Sequence, residues 1–224
     1  MIKTVLIDVD NTLLCFYKCA EKALNVAFTK NGIEFKKEYL PYFFSVNDRL
    51  WRMVEDRVIT RQDVYEIRLR SVFNTLAIDG DARRTEDCFV KEMERTSEPV
   101  SGALETLKYL SSKYKVYGAS NSVYERQQSR LKLAGFYEYF DELFVSDRIG
   151  AEKPAEQFFN YCLKNSKTSA EECVMIGDSL NADMAGAKNV GIMAIWYNHA
   201  KIAIPENKPY DYMVDSLFDV KNIL

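Results

Sequence analysis

The stretch TVLIDVDNT, residues Thr4–Thr12, decides the fold. An apolar run predicts a short buried strand over Thr4–Ile7, and the run ends in Asp8, Asp10 and Thr12. Because side chains alternate along an extended chain, these three would share one face if the extended conformation continued. Two close carboxylates repel each other and are costly to bury, and a cation relieves that cost.

The sequence after Pro99 predicts strands that alternate with helices. Such alternation indicates a parallel sheet with right-handed crossovers, and ligands of open parallel sheets bind beyond the carboxyl ends of the strands. The predicted fold class is therefore α/β, with a Rossmann-like parallel sheet core and helices on both faces. The strand candidates are KVYGASNS, ELFVS, CVMIGD, IMAIWY and YMV.

Between the first strand and Pro99 the chain has few strand signals. Apolar spacing there predicts four helices, with Asn31-Gly32 ending the first and Asp79-Gly80 separating the last two. We therefore expect an all-α domain over residues 15–96, inserted into an α/β core made of residues 1–14 and 97–224. The helices are predicted at 17–30, 38–56, 61–76 and 81–95.

Composition excludes several classes of protein. The 224 residues are 47% hydrophobic and 28% charged, with a net charge of -3, so the chain lacks the basic balance of a nucleic-acid binder. No stretch approaches the roughly 20 apolar residues that span a bilayer, and no signal peptide is recognisable. We expect a cytoplasmic protein without a nucleic acid polymer or membrane as partner, either monomeric or homodimeric.

The cysteine and histidine content argues against disulfide-stabilised folds and against catalysis by a serine or cysteine paired with histidine. The five cysteines form no CxxC pair, which favours reduced thiols. The single histidine, His199, has no adjacent serine or cysteine motif and is interpreted as a surface-loop residue.

Polar residues recur at four predicted strand ends. Each alone has an ordinary explanation: a Ser-Asn pair suits a turn, Lys-Pro suits a helix start, and aspartates suit helix caps. All four in this order are improbable by chance. The residues are Asp8 with Asp10, Ser120 with Asn121, Lys153, and Asp178 with Asp183.

These residues resemble the four motifs of the haloacid dehalogenase-like (HAD) superfamily phosphatases, as DVDNT, SNS, the lysine of KP, and GDSLNAD. The resemblance covers nearly the whole chain and implies a helical cap of the C1 type over residues 15–96. It also implies a phosphomonoester hydrolase that uses Mg²⁺ and an aspartyl-phosphate intermediate. Its partner would be a small-molecule phosphate ester.

The resemblance assigns a role to each motif residue. Asp8 would be the nucleophile and Asp10 the general acid and base, oriented by Thr12. Asp8, the Asp10 carbonyl and Asp178 would hold Mg²⁺, an ion that favours oxygen ligands, while Asp183 would support the metal site. Ser120, Lys153 and the backbone near Asn121 would bind the phosphoryl oxygens.

Three other activities on this fold stay open. A haloacid dehalogenase lacks the second aspartate of the first motif, and a halide leaving group needs no acid, so Asp10 argues for phosphate. A β-phosphoglucomutase-like phosphomutase shares the first half-reaction. A catalytically silent phosphate-binding module would keep the fold without turnover.

The substrate depends on the inserted helical segment. The stretch FSVNDRLWRMVEDRVITRQDVYEIRL resembles a pyrimidine 5′-nucleotidase family that acts on nucleoside monophosphates such as dUMP and dTMP. Phe16, Asn47 and Trp51 are candidates for stacking on the base or reading its edge. The second motif reads SNS where that family has TNG, so Ser122 adds a side chain near the phosphate. A sugar phosphate or phosphoglycolate is the alternative substrate.

Overall fold

The computed structural model describes every residue from Met1 to Leu224. The chain divides into two compact units, one of residues 1–15 and 97–224 and one of residues 16–96. No helix combines the length and the apolar character needed to cross a bilayer.

The first unit is built on a sheet of six parallel strands. The strands are β1 (Thr4–Ile7), β2 (Lys115–Ser120), β3 (Glu142–Val145), β4 (Cys173–Gly177), β5 (Met193–Tyr197) and β6 (Tyr212–Val214). They lie in the order β3-β2-β1-β4-β5-β6, which places β1 at the centre, between β2 and β4. The predicted α/β class and parallel sheet are confirmed.

Helices cover both faces of the sheet, because successive residues of a strand point to opposite sides. The helices of this unit are α5 (Ala103–Lys113), α6 (Tyr124–Leu133), α7 (Ser146–Ile149), α8 (Glu156–Ser166) and α9 (Gly186–Asn189). Val5 and Ile7 pack into one apolar cluster with α5 and α6, whereas Leu6 packs into the opposite cluster with α8 and α9. A two-sided core of this kind explains why β1 is a continuous apolar run.

Two elements of this unit differ from the sequence prediction. The short helix α7 follows β3 directly and was not predicted. The sequence predicts an ordinary helix over 182–189, whereas the structure has a π-helical turn at Leu180–Ala185 that leads into α9. Ser179 caps that turn by accepting a hydrogen bond from the Ala182 N–H. The helical backbone therefore begins at Leu180, two residues before the predicted start.

The second unit contains four helices around its own aromatic core, as predicted. Thr60 and Asp63 form a reciprocal capping box that starts the third helix, which is the local reason for its sharp beginning. Pro41 lies in the first turn of the second helix, after a short 3₁₀ turn at Lys37–Tyr39. The helices are α1 (Phe16–Lys30), α2 (Leu40–Glu55), α3 (Arg61–Leu76) and α4 (Ala82–Met93).

Candidate active site

The carboxyl edge of the sheet gathers the polar motif residues. Ile7 is in register with Gly118 of β2 and Ile176 of β4, so the residues that follow β1, β2 and β4 meet at this edge. Gly177 allows the close approach, because a Cβ at that position would lie 2.2 Å from Asp183 Oδ2. The parallel register therefore brings together motif residues that are far apart in sequence.

Lys153 links two buried carboxylates. Its Nζ donates hydrogen bonds to Asp8 Oδ1 at 2.8 Å, to Asp183 Oδ1 at 2.6 Å and to the Ala119 carbonyl at 2.7 Å. A lysine ammonium has three donors, so all are engaged within the protein. The predicted contact of Lys153 with phosphoryl oxygens would require at least one of these bonds to be exchanged for a bond to substrate.

The acidic centre holds more carboxyl groups than the protein has cations to pair with them. Burial and the neighbouring Asp183 raise the pKa of Asp8 to about 7, although Lys153 opposes the shift. Burial also raises the pKa of Asp183 and that of Asp178. For Lys153, burial alone would lower the pKa, but Asp183 and Asp8 outweigh it and the net shift is upward. One cation among three carboxylates leaves the site short of positive charge.

The same three carboxylates have the geometry of a cation site. One oxygen from each of Asp8, Asp178 and Asp183 lies within 4.8 Å of the others. Hard oxygen donors without sulfur or nitrogen suit Mg²⁺. The residues present therefore fit the predicted ion, with Asp183 closer to the centre than a purely supporting role requires. The structure adds no observation on the predicted Asp10 carbonyl ligand.

Asp178 has two neighbours from β5 and the loop after it. Trp196 Nε1 donates a hydrogen bond to the Asp178 carbonyl at 2.9 Å, and His199 Nε2 lies 3.6 Å from Asp178 Oδ2. The expected surface-loop histidine is therefore half-buried beside the acidic centre. Its position just beyond the carboxyl end of β5 is the sequence signal that points to the site.

The chain after Asp8 turns and does not continue extended. Leu13 and Leu14 both donate backbone hydrogen bonds to the Val9 carbonyl, and Asn11 has a φ of 62°, in the left-handed region that asparagine tolerates. The reason expected for a shared face, strand alternation through Asp10 and Thr12, was therefore wrong. A tight turn positions Asp10 instead.

Two residues of α6 hold the Asp10 carboxylate. Arg130 Nη1 donates to Asp10 Oδ1 at 2.6 Å, and Gln127 Nε2 donates to Asp10 Oδ2 at 2.7 Å. Thr12 was expected to orient Asp10, but its buried hydroxyl has no hydrogen-bond partner. That expectation fails because the turn carries Thr12 into the interior, where it is fully buried. No signal in the sequence singles out Gln127 and Arg130, because polar residues three apart on a helix are common on surfaces as well.

The second motif has contacts within the protein in addition to its predicted role in binding phosphate, which stays a prediction. Ser120 is buried and its Oγ accepts a hydrogen bond from Gln127 Nε2 at 2.8 Å. The Asn121 amide pairs with the backbone of Lys153 through two bonds of 2.8 Å, so its side chain positions the lysine. Ser122 is buried, and its carbonyl accepts a bond from the Ser146 hydroxyl at 3.4 Å.

The three predicted substrate residues lie in the helical unit and are engaged there. Asn47 is buried, accepts a hydrogen bond from Arg68 Nη1 at 2.8 Å and donates to Asp48 Oδ1 at 3.1 Å. The Asn47 carbonyl and one of its two N–H donors are thus engaged within the helical unit. Trp51 and Phe16 are partly buried against the same core.

The fold and the site define an α/β protein with an acidic centre at the carboxyl edge of its parallel sheet. Residues 2–191 match the sequence model of the haloacid dehalogenase-like hydrolase family, and the chain belongs to this family. The match confirms the predicted family.

Three relatives are informative about activity. The HAD-hydrolase YfnB of Bacillus subtilis is 30% identical over 99% of this chain and 95% of its own, and the crystal structure of YfnB bound to magnesium superposes with a TM-score of 0.94. That structure covers all of this chain and 98% of YfnB at 28% identity. The pyrimidine 5′-nucleotidase PynA of Streptococcus pneumoniae is 30% identical over 99% of this chain and 97% of its own.

The third relative matches a shorter part of the chain. The glyceraldehyde 3-phosphate phosphatase of Pyrococcus furiosus is 37% identical over 98 residues, which are 42% of this chain and 40% of its own. Together these matches confirm the predicted enzyme class, a phosphatase of the HAD family.

Proposed function

We propose that this phosphatase is a Mg²⁺-dependent 5′-nucleotidase that hydrolyses pyrimidine nucleoside monophosphates through a phosphoryl group carried on Asp8. The buried Asp8 at the end of β1, bonded to Lys153 and grouped with Asp178 and Asp183, carries the chemical part of the proposal. The near full-length similarity to PynA supports the substrate.

The first half-reaction forms a bond between an Asp8 carboxylate oxygen and phosphorus while the bond from phosphorus to the ester oxygen breaks. The Asp10 carboxyl delivers a proton to the departing alkoxide. In the second half-reaction, Asp10 takes a proton from a water molecule that attacks phosphorus, which releases inorganic phosphate and restores Asp8. Ser120 and Lys153 donate hydrogen bonds to the phosphoryl oxygens throughout.

A bound Mg²⁺ would be held by Asp8 and Asp178 with Asp183 close by, and it would offset the repulsion between carboxylate and phosphate. Within the protein, Lys153 supplies the other positive charge next to Asp8. The two hydrogen bonds between the Asn121 amide and the Lys153 backbone fix the point from which the lysine side chain reaches Asp8.

The domain boundaries belong to the same proposal. Residues 1–14 and 97–224 form the catalytic core, and residues 15–96 act as a cap that covers the substrate during turnover and contacts its leaving group. Trp51 and Phe16 are the cap candidates for stacking on a pyrimidine, since the Asn47 amide is already engaged.

A sugar phosphate is the second candidate substrate, favoured by the similarity to the glyceraldehyde 3-phosphate phosphatase. That match spans less than half of each chain, whereas the match to PynA includes the helical segment that would select the substrate. The nucleotide is therefore the better-supported candidate.

The test is a panel of substrates compared by kcat/KM with Mg²⁺ present. It contains dUMP, dTMP, UMP, the matching purine nucleotides, glyceraldehyde 3-phosphate, phosphoglycolate and a hexose phosphate. We expect pyrimidine monophosphates to give the highest values. Equal or faster turnover of the sugar phosphates would reject the nucleotidase assignment, and no phosphate release from any ester would reject the phosphatase mechanism as well.

A further inference from the structure

Two buried polar side chains of α6, Gln127 and Arg130, contact the proposed acid and base Asp10, and Gln127 also contacts Ser120. Gln127 is fully buried and Arg130 is 1% exposed, yet neither belongs to the four motifs. Gln127 Nε2 lies 2.7 Å from Asp10 Oδ2 and 2.8 Å from Ser120 Oγ. Arg130 Nη1 lies 2.6 Å from Asp10 Oδ1 and 3.0 Å from Gln127 Oε1.

The Gln127 amide is held in a single orientation. Its two N–H donors serve Asp10 and Ser120, and its carbonyl accepts from Arg130. Rotating the amide by 180° would place the carbonyl oxygen against the Asp10 carboxylate and the NH₂ group against the guanidinium. Both contacts would then be repulsive, so Arg130 fixes the direction in which Gln127 donates.

This orientation determines where the Ser120 hydroxyl points. Because Ser120 Oγ accepts a hydrogen bond from Gln127, its own proton must point elsewhere, and no protein group in the structure accepts it. A buried hydroxyl whose hydrogen has no acceptor is a donor available to a ligand oxygen. A phosphoryl oxygen at the carboxyl edge of the sheet is the acceptor that the proposed reaction supplies.

The Arg130 guanidinium ties the arrangement to Asp10. A buried guanidinium requires a carboxylate partner, and the short bond to Asp10 Oδ1 is charge-assisted. Asp10 lies on a turn and not on the rigid strand, so its carboxylate direction depends on these two donors from α6.

We propose that Gln127 and Arg130 are positioning residues of this enzyme, which aim the Ser120 hydroxyl at the transferred phosphoryl group and hold the Asp10 carboxylate beside the leaving oxygen. The inference rests on the proposed phosphatase function and deepens it. Because the Gln127 amide donates to both, it fixes the position of the Ser120 hydroxyl, which binds phosphate, relative to the Asp10 carboxylate, which exchanges the proton.

The test compares Gln127→Leu with Gln128→Leu on two substrates and one inhibitor. Gln128 is the matched control, because it is the next residue of α6 and its amide donates only to the Tyr137 hydroxyl, at 3.0 Å. The substrates are p-nitrophenyl phosphate, whose leaving group needs little protonation, and a nucleoside monophosphate, whose alkoxide leaving group needs an acid. Inorganic phosphate is the inhibitor, and it reports on Ser120.

For Gln127→Leu we expect kcat on the alkyl ester to fall about 100-fold, and at least about 10-fold more than kcat on p-nitrophenyl phosphate. The inhibition constant of phosphate should rise about 10-fold, since a bond to an anion is lost. Gln128→Leu should match the parent in all three values. A merely structural effect would lower activity on both esters equally and leave the inhibition constant unchanged, and that result would overturn the proposal.

Gln127→Met, which fills nearly the same volume without a hydrogen-bond donor, provides a second variant where Gln127→Leu lowers the melting temperature. The same larger loss of kcat on the nucleotide than on p-nitrophenyl phosphate is expected. Parent-like kinetics of either folded variant would also overturn the proposal. The failure of the function itself looks different: the parent would then release no phosphate from any ester. In that case the phosphate affinities of parent and variant, measured by calorimetry, still decide whether Gln127 orients Ser120.

Discussion

The two units of the molecule each bury a charged cluster, and the clusters differ in how their charge is balanced. In the helical unit, Arg68 donates to Glu86 Oε1 at 2.5 Å and to Asn47 Oδ1 at 2.8 Å, with its guanidinium against the rings of Phe43 and Phe89. One cation meets one anion there. At the sheet edge, Lys153 meets Asp8 and Asp183, with Asp178 close by.

The difference separates a structural role from a catalytic one. The Arg68 cluster is complete within the protein, so it holds helices together and has no capacity left for a ligand. The Lys153 cluster has more carboxylates than cations, so its fully ionised form is unfavourable in the folded protein until a cation binds. A buried cluster with more carboxylates than cations is therefore a candidate binding site for a metal ion or a substrate.

The largest expected effect comes from removing the nucleophile. Asp8→Asn should lower kcat by at least about 10⁴-fold, because the amide cannot form the phosphoryl intermediate. Its melting temperature without Mg²⁺ should not fall, since the raised pKa of Asp8 means that its charged form is disfavoured in the fold.

The matched control is Asp87→Asn, an exposed aspartate of α4 that pairs only with Arg83. It should keep full activity. Residual turnover of Asp8→Asn above a hundredth of the parent rate would contradict the catalytic role that we assign to the Lys153 cluster.

The next effect concerns the balanced cluster. Arg68→Met should lower the free energy of unfolding by about 3–5 kcal/mol, since it leaves Glu86 buried without its partner. Adding Glu86→Gln to the same chain should restore most of that loss. Urea unfolding followed by circular dichroism measures both, and a double variant no more stable than the single one would show that the pair is not balanced as described.

The smallest effect is the stabilisation by Mg²⁺, and it should depend on pH. The folded chain keeps a proton on Asp8 up to about pH 7, whereas the unfolded chain releases it near pH 4, so the metal-free fold loses stability as pH rises between these values. Binding of Mg²⁺ requires the carboxylate form. At about 100 times its Kd the ion contributes about 2.7 kcal/mol, and this contribution should be larger at pH 8 than at pH 6.

Melting temperatures at the two pH values, with and without Mg²⁺ at constant ionic strength, check this expectation. Asp178→Asn is the control and should lose most of the increase. An equal shift at both pH values would mean that Asp8 does not take part in binding the ion.

The sequence predicted those parts of the molecule that follow from periodicity. The buried strand Thr4–Ile7 and the alternation of strands and helices after Pro99 were enough to predict the parallel sheet. That sheet, in turn, explains why Asp8 and Asp178 meet at one edge.

Other features depend on contacts that no periodic pattern encodes. The turn at Asn11 leaves the Thr12 hydroxyl without a hydrogen-bond partner, and the Asp10 carboxylate instead accepts hydrogen bonds from Gln127 and Arg130. The engagement of Asn47 by Arg68 likewise arises from the packing of two helices. Such side-chain pairings are decided by tertiary structure, and spacing along the chain gives no means of choosing among them.

The most direct test of the central claim is to locate the phosphoryl group on the protein. In Asp10→Asn, p-nitrophenyl phosphate should still transfer its phosphoryl group, because its leaving group needs little protonation, while hydrolysis slows for lack of the base. After acid quenching, mass spectrometry should find one phosphoryl group on the peptide that contains Asp8, and none when Asp8→Asn is added. A phosphoryl group on another residue, or none under conditions in which p-nitrophenol is released, would contradict the account.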